Sequence, residues 1–380
     1  MRFGVLYEIH TPKPWHEQSD YERYWQCIAE IKLAEQVGFD ECWAVEHHFT
    51  EEFAHCSAPE VFLTAVAQQT TTMRVGHGVV LLPKAYNHAV RVAERAAALD
   101  ILSHGRLDVG TGRSATTLEL RAFEIDPDDT RPMWEEAIRL IPKLWTEERA
   151  SFQGTYYNIP KRTVLPRPHQ KPHPPLWMAG GQPASLELAA QYGLGFLHFA
   201  LLDPEQSFAN VRRYKSLVQD ARPPAGFTND QFGAFTIGYC GEDDAEVRTV
   251  GGPGALYYAS ERTRVQGAWE RAYGTVPESY RHYQQQTAKI DLTSKDALPG
   301  LLNIGSMAVG TAEQCRKVVD IYDRAGVDQL ILYMELPFLN HQQIVKSIRL
   351  FGEQVIQPYR DAKRSAEVAA TREPLVGPHA

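Results

Sequence analysis

Cysteine is scarce and badly placed for cross-linking. The five present, Cys27, Cys42, Cys56, Cys240 and Cys315, are scattered, odd in number and contain no Cys-x-x-Cys pair. Neither a disulfide framework nor a zinc site is expected, no metal is assigned, and a reducing cytoplasm is the expected compartment. Long apolar runs are missing too: no stretch reaches the roughly 18 residues that a spanning helix needs. The opening, MRFGVLYEIH, enters a strand directly, without the hydrophobic stretch of an export signal. No run of Lys and Arg occurs, and 39 basic against 47 acidic residues leave a net charge of −8. That balance argues against nucleic acid or an anionic membrane as the main partner.

What is present is core-forming: 43% of the 380 residues are hydrophobic and 10% aromatic. One large α/β barrel or two ordinary domains would fit that length. A recurring joint decides between them. LAEQVGFDECWAVE (33–46), LAAQYGLGFLHFA (188–200) and YDRAGVDQLILYME (322–335) each run from a helix tail through a glycine into an apolar run. LDILSHGRLDVGTG (99–112) is a fourth variant. Gly38, Gly105, Gly193 and Gly326 stand where a helix C-terminus needs a left-handed residue. Eight short, unbroken apolar runs lie near 2–8, 41–46, 74–81, 106–110, 175–179, 194–200, 232–240 and 328–334. Unbroken rather than alternating strands are those covered on both faces. Eight of them alternating with helices predict a (β/α)8 TIM barrel over 1–360, with a doubly wound sheet as the competing architecture.

Two segments depart from the repeat. Residues 146–175 are proline-rich. Residues 241–305, the largest insertion, lie between the seventh and eighth strands and hold Tyr257, Tyr258, Trp269, Tyr273, Tyr280 and Tyr283. With Gly251, Gly252 and Gly254 near its start, this insertion is expected to form a lid over the barrel mouth; a surface helix pair or a dimer contact is the alternative. Residues 361–380 are expected to be a flexible tail.

In such a barrel the chemistry lies at the C-terminal strand ends. The second strand ends in Glu46, His47 and His48, three titratable groups where a core strand should stop. Alternation along the strand lets one histidine at most face the mouth, and His47 is a plausible base; two histidines anchoring a loop is the plainer reading. Gly76 and Gly78 interrupt the β-branched run of the third strand, as at a bulge or a close ligand approach. The fourth strand ends in GTGRS, where Arg113 either sits on a tight turn or grips a phosphate. The fifth ends in MAGGQPASLELAAQYG, where Ala179, Gly180 and Gly181 lead into a helix opened by Pro183. Free N–H groups around Ala184 and Ser185 would complete an anion site, which points to a phosphorylated cofactor.

GFDECWAVEHHFTEEF, RVGHGVVLLP, HAVRVAERAAALDILSHGRLDVGTGRS and MAVGTAEQCRKVVDIYDRAGVDQLILYME together resemble the bacterial luciferase-like flavin monooxygenases. The resemblance covers most of residues 1–360. It implies a barrel that binds reduced FMN, supplied by a separate flavin reductase, and that activates O2 as a flavin C4a-(hydro)peroxide to oxygenate a small organic substrate. It assigns catalysis to His47, with His88 as a further catalytic histidine. It places Glu46, Gly78, Val79, Arg113, Ala179, Gly180, Gly181 and Ser185 around the flavin. It also implies a cis peptide at Gly78–Val79 beneath the ring and a homodimer. Gly112 replaces a cysteine of luciferase, and Gly180–Gly181 replace its Glu-Ser pair, so light emission and a long-chain aldehyde are not expected. An F420-dependent hydride-transfer enzyme and a non-catalytic flavin-binding accessory protein are the alternatives.

Overall fold

A computed structural model of the chain describes residues 1–51, 54–199, 204–281 and 297–372. All eight apolar runs are strands. They are β1 (Arg2–Tyr7), β2 (Glu41–Val45), β3 (Arg74–Leu81), β4 (Leu107–Gly112), β7 (Leu176–Gly180), β8 (Gly195–Phe199), β9 (Phe232–Gly241) and β11 (Gln329–Tyr333). Three short strands were not foreseen. β5 (Ala150–Gln153) and β6 (Asn158–Arg162) form an antiparallel hairpin within the proline-rich segment, and β10 (Ala308–Thr311) pairs in parallel with the end of β9. The eight long-range strands run in the order β11-β1-β2-β3-β4-β7-β8-β9, and β9 pairs back with β11. Every pairing in that ring is parallel. The closure excludes the doubly wound alternative and makes a (β/α)8 barrel with its helices outside.

Local chemistry sets the joints. Gly38, Gly105, Gly193 and Gly326 take φ of 101°, 77°, 63° and 81°, the left-handed region in which a side chain is strained. Inside the barrel Trp43 and Trp177 meet edge to face with centroids 5.5 Å apart. Their indole N–H groups donate to Glu41 (3.1 Å) and Asp108 (2.9 Å) at the opposite end from the strand C-termini. A Cβ at Gly76 would stand 2.4 Å from Trp43 Cε3, so this glycine makes room for an indole rather than for a ligand.

β3 carries a bulge where the sequence pointed to one. Ala44 faces His77 and Val45 faces Val79, which leaves Gly78 as the extra residue against β2. The cis peptides among the described residues are Lys13–Pro14, Leu165–Pro166 and Lys171–Pro172. Gly78–Val79 is therefore trans, and the expectation of a cis bond is corrected: the extra residue turns the backbone by itself.

The insertion between β9 and β11 is helical through much of its described length, including Gly252–Gln266, Trp269–Tyr273 and Ala297–Asn303. Trp269 and Tyr280 stack at 4.0 Å and form a small second core with Leu120 and Ile125. These aromatics pack on one another, and Tyr280 also reaches the Ser114 carbonyl (3.3 Å) at the rim of the barrel mouth. Gly251 and Gly254 permit close packing, since a Cβ would stand 2.2 Å from Tyr239 and 2.3 Å from the Pro337 carbonyl respectively. Residues 282–296, with Tyr283 and part of the expected lid, lie outside the described residues. The segment expected as a tail is helical from Gln357 as far as Arg372. No described helix is long and apolar enough to cross a membrane.

Candidate active site

A cavity open to solvent lies at the C-terminal ends of the strands. It collects Glu46, His47, Gly78, Val79, Arg113, Ala179, Gly180, Gly181 and Ser185, which is every predicted site residue but one. His88 is the exception. Its ring lies edge-on to Tyr157 and its Nδ1 accepts from the Val90 N–H (3.2 Å), so it caps the helix Ala89–Leu102 outside the cavity lining.

The two histidines after β2 part company. His48 turns away to Glu46 Oε1 (3.1 Å) and stacks parallel to Tyr86. Glu46 binds that loop together: its carboxylate also accepts from the Leu81 N–H (2.8 Å) and from Asn87 Nδ2 (2.9 Å). His47 faces the cavity, with Nδ1 2.9 Å from Glu119 Oε1. Glu119 also accepts from the His48 N–H (3.0 Å), Ser114 Oγ (2.5 Å) and Thr116 Oγ1 (2.8 Å). A carboxylate with four donors stays ionised. Burial opposes this, but the pull of His47 and these bonds hold its pKa below the usual range. Glu119 thereby makes Nδ1 the protonated nitrogen and presents Nε2 to the cavity. Nε2 stands 3.9 Å from Glu8 Oε1. Burial works to lower the His47 pKa and Arg262 does the same, yet Glu119 and Glu8 outweigh them and raise it.

Glu8 lies just past β1 and was not singled out from sequence. It accepts from Tyr258 Oη (3.0 Å), and burial raises its pKa against the opposing pull of His47 and Arg262. Glu335, just past β11, fixes this corner: its carboxylate accepts from the backbone N–H groups of Glu8 (2.5 Å), Ile9 (2.7 Å) and His10 (3.2 Å). Ile9 is held at φ 58°. Both acids sit at the end of an apolar run, in LYEIH and LYMEL, the same signal that EHH carries. Glu119 had a weaker mark, the Thr-x-x-Glu spacing of a helix start, with Thr116 as the cap.

Across the mouth Arg113 is buried, donates to Thr130 Oγ1 (2.9 Å) and lies 5.2 Å from the Tyr280 ring centroid. No carboxylate among the described residues forms an ion pair with it, which is unusual for a buried guanidinium. Beside it the loop Gly180–Gly181 enters the helix Pro183–Gln191. The Ser185 N–H donates to the Gln182 carbonyl (3.0 Å), contrary to the expectation that it is free, so an anion site here would rest on fewer amides. A phosphate fits this rim: a cation without a counter-charge, a loop with no side chains in the way and a helix start. The floor is apolar, from Leu6, Trp43, Val45, Leu197 and Ile331, and suits a flat ring system.

The family model of luciferase-like monooxygenases matches residues 1–329. The oxygenase component of the flavin-dependent trigonelline monooxygenase of Acinetobacter baylyi is 31% identical over 195 residues, 51% of this chain and 52% of that protein. The F420-dependent glucose-6-phosphate dehydrogenase of Kineococcus radiotolerans is 34% identical over 171 residues, 43% of this chain and 49% of that protein. The chain spans about half the length of these curated relatives. The crystal structure of the monooxygenase RslO1 from Streptomyces bottropensis is similar with a TM-score of 0.77 and 28% identity, covering 94% of this chain and all of that one.

Proposed function

Since the chain belongs to the luciferase-like monooxygenase family, we propose that it is the oxygenase component of a two-component flavin-dependent monooxygenase. On this reading it takes reduced FMN from a separate reductase and uses O2 to oxygenate a small organic molecule. The buried, acid-free Arg113 beside the Gly180–Gly181 loop carries the reading. These residues would hold the flavin phosphate, with the ring against the bulge at Gly78–Val79. Bound reduced flavin would supply the electrons for oxygen activation. The chain's own part is positional and protonic: the apolar floor excludes water, and His47 Nε2, oriented by Glu119, gives or takes a proton at the cavity face. A relative that depends on F420 keeps hydride transfer without oxygen as the second reading.

The test is equilibrium binding of FMN and riboflavin to the wild type and to Arg113→Ala. A charge-assisted contact contributes about 1.5–3 kcal/mol, or roughly 10–150-fold, so the variant should lose FMN affinity by that factor and riboflavin affinity hardly at all. Equal losses for both would remove the phosphate assignment. Titrating the protein with FMN and with F420 under the same conditions separates the two readings: tighter binding of FMN supports the monooxygenase reading, and tighter binding of F420 favours hydride transfer.

A further inference from the structure

Among the described residues of the insertion, one charged side chain enters the cavity. Arg262, on the helix Gly252–Gln266, lines the cavity with its guanidinium carbon 3.5 Å from the Phe199 ring centroid and 6.0 Å from that of Phe235. Those two rings stack at 4.5 Å. Lying on an aromatic face fixes a planar guanidinium while leaving its edges open. The edges are poorly used. Nη1 reaches Tyr258 Oη only at 3.4 Å and stands 3.9 Å from Glu8 Oε1, beyond hydrogen-bond range. The buried Nε finds no acceptor among the described residues. Arg23 shows the contrast, with bonds to Glu30 at 2.7 and 3.1 Å and to Glu335 at 2.8 Å. Arg23 is a strut; Arg262 is oriented but left with donors to offer.

Resting on the monooxygenase reading of the cavity, we propose that Arg262 binds the carboxylate of an organic-acid substrate whose apolar body lies against Phe199 and Phe235. A carboxylate matches the guanidinium fork with two parallel bonds. Arg262 and His47 both stand 3.9 Å from Glu8 Oε1, so the added negative charge lies beside a guanidinium and an imidazole as well as one acid. A neutral hydrocarbon would leave the donors of Arg262 without acceptors, and an aldehyde would offer one uncharged oxygen in place of a charged pair, which selects against such substrates.

Calorimetric titration of the protein, with and without saturating FMN, tests the assignment. The probes are benzoate and cyclohexanecarboxylate, each against its primary amide. The acids should bind at least about tenfold more tightly than the amides, the size of a charge-assisted pair. Arg262→Met should erase that preference, and Arg262→Lys, which keeps the charge but not the fork, should retain part of it. Amides binding as well as acids, a preference that survives in Arg262→Met, or no binding by any of the four overturns the proposal. The comparison of FMN with riboflavin on Arg113→Ala reads the flavin assignment separately. Phosphate discrimination without an acid preference sinks the Arg262 role alone; an acid preference without phosphate discrimination sinks the flavin reading alone.

Discussion

His47 is effective only through its neighbour. Imidazole offers two equivalent-looking nitrogens, and Glu119 at 2.9 Å decides which of them faces the cavity. Glu119 and Glu8 raise its pKa although burial opposes them, so replacing Glu119 by Gln removes the largest raising influence and leaves the opposing one. The His47 Cε1–H resonance should therefore titrate above 6.5 in the wild type and lower in Glu119→Gln; an unchanged midpoint would show that Glu119 does not govern this proton. In His47→Ala, product formation should fall by about 10²–10⁴-fold, the usual worth of a general acid–base group, while FMN binding persists. His77 is the opposite kind of histidine. It is buried in β3 with neither ring nitrogen bonded among the described residues, and burial pushes its pKa down to about 4, with Arg95 lowering it further and Glu60 opposing. The folded state thus refuses a proton that the unfolded chain accepts, so its contribution to stability falls as pH drops from 6.5 towards 4. His77→Phe removes two unpaired polar atoms at similar volume. It should equal or exceed the wild type in urea stability at pH 7 and gain on it at pH 5; a constant difference across that range would refute the linkage.

At the scale of elements, the barrel mouth is organised by strand ends rather than by loops. Glu8, Glu46 and Glu335 each follow the last strand residues by a few positions, and all three are buried. Glu335 does for β1 what Glu46 does for β2: a carboxylate gathers neighbouring backbone N–H groups and sets the direction in which the chain leaves the strand. Glu335→Ala would strand three backbone donors and leave Arg23 to Glu30 alone, at a cost of about 3–5 kcal/mol, the range for breaking a buried pair. Urea denaturation should show that loss, and a change below about 1 kcal/mol would mean that water replaces the carboxylate without penalty. The insertion is likewise an element with a task. Its helix Gly252–Gln266 is tied to β1 by the Tyr258–Glu8 bond and sets Arg262 over Phe199. Its glycines admit neighbouring groups at close range, so the described part is a packed wall of the cavity.

For the whole molecule, three of the exposed apolar side chains among the described residues stand on two neighbouring helices. Tyr21 and Trp25 stand out from the helix Ser19–Gln36 and Val61 from the helix Pro59–Gln69, with 64%, 52% and 68% of their surface open. A homodimer, which the family resemblance leads one to expect, would cover such side chains. Light scattering should then give twice the chain mass, and Trp25→Glu should shift the particle towards the monomer; a monomeric wild type would end this expectation.

The eight-strand alternation was legible in the chain itself because helix tail, left-handed glycine and apolar run are local patterns, and local patterns depend on backbone sterics and burial alone. The same holds for His47, Arg113 and the Gly180–Gly181 loop, since a strand end marks the barrel mouth wherever the fold is known. Four-residue β10 carried no such mark; its pairing partner is the far half of β9. Gly76 and Gly78 looked alike in sequence, yet one faces an indole on the neighbouring strand and the other lines the cavity, because register across neighbouring strands sets what a missing side chain makes room for. His88 and His47 were equally good candidates by residue type, and only packing turned one into a helix cap. The partners of His47 came from positions 8 and 119, and the cation opposite Arg113 from position 262. No spacing rule joins residues so far apart, because ring closure alone brings the ends of β1, β4 and β9 within reach of one another.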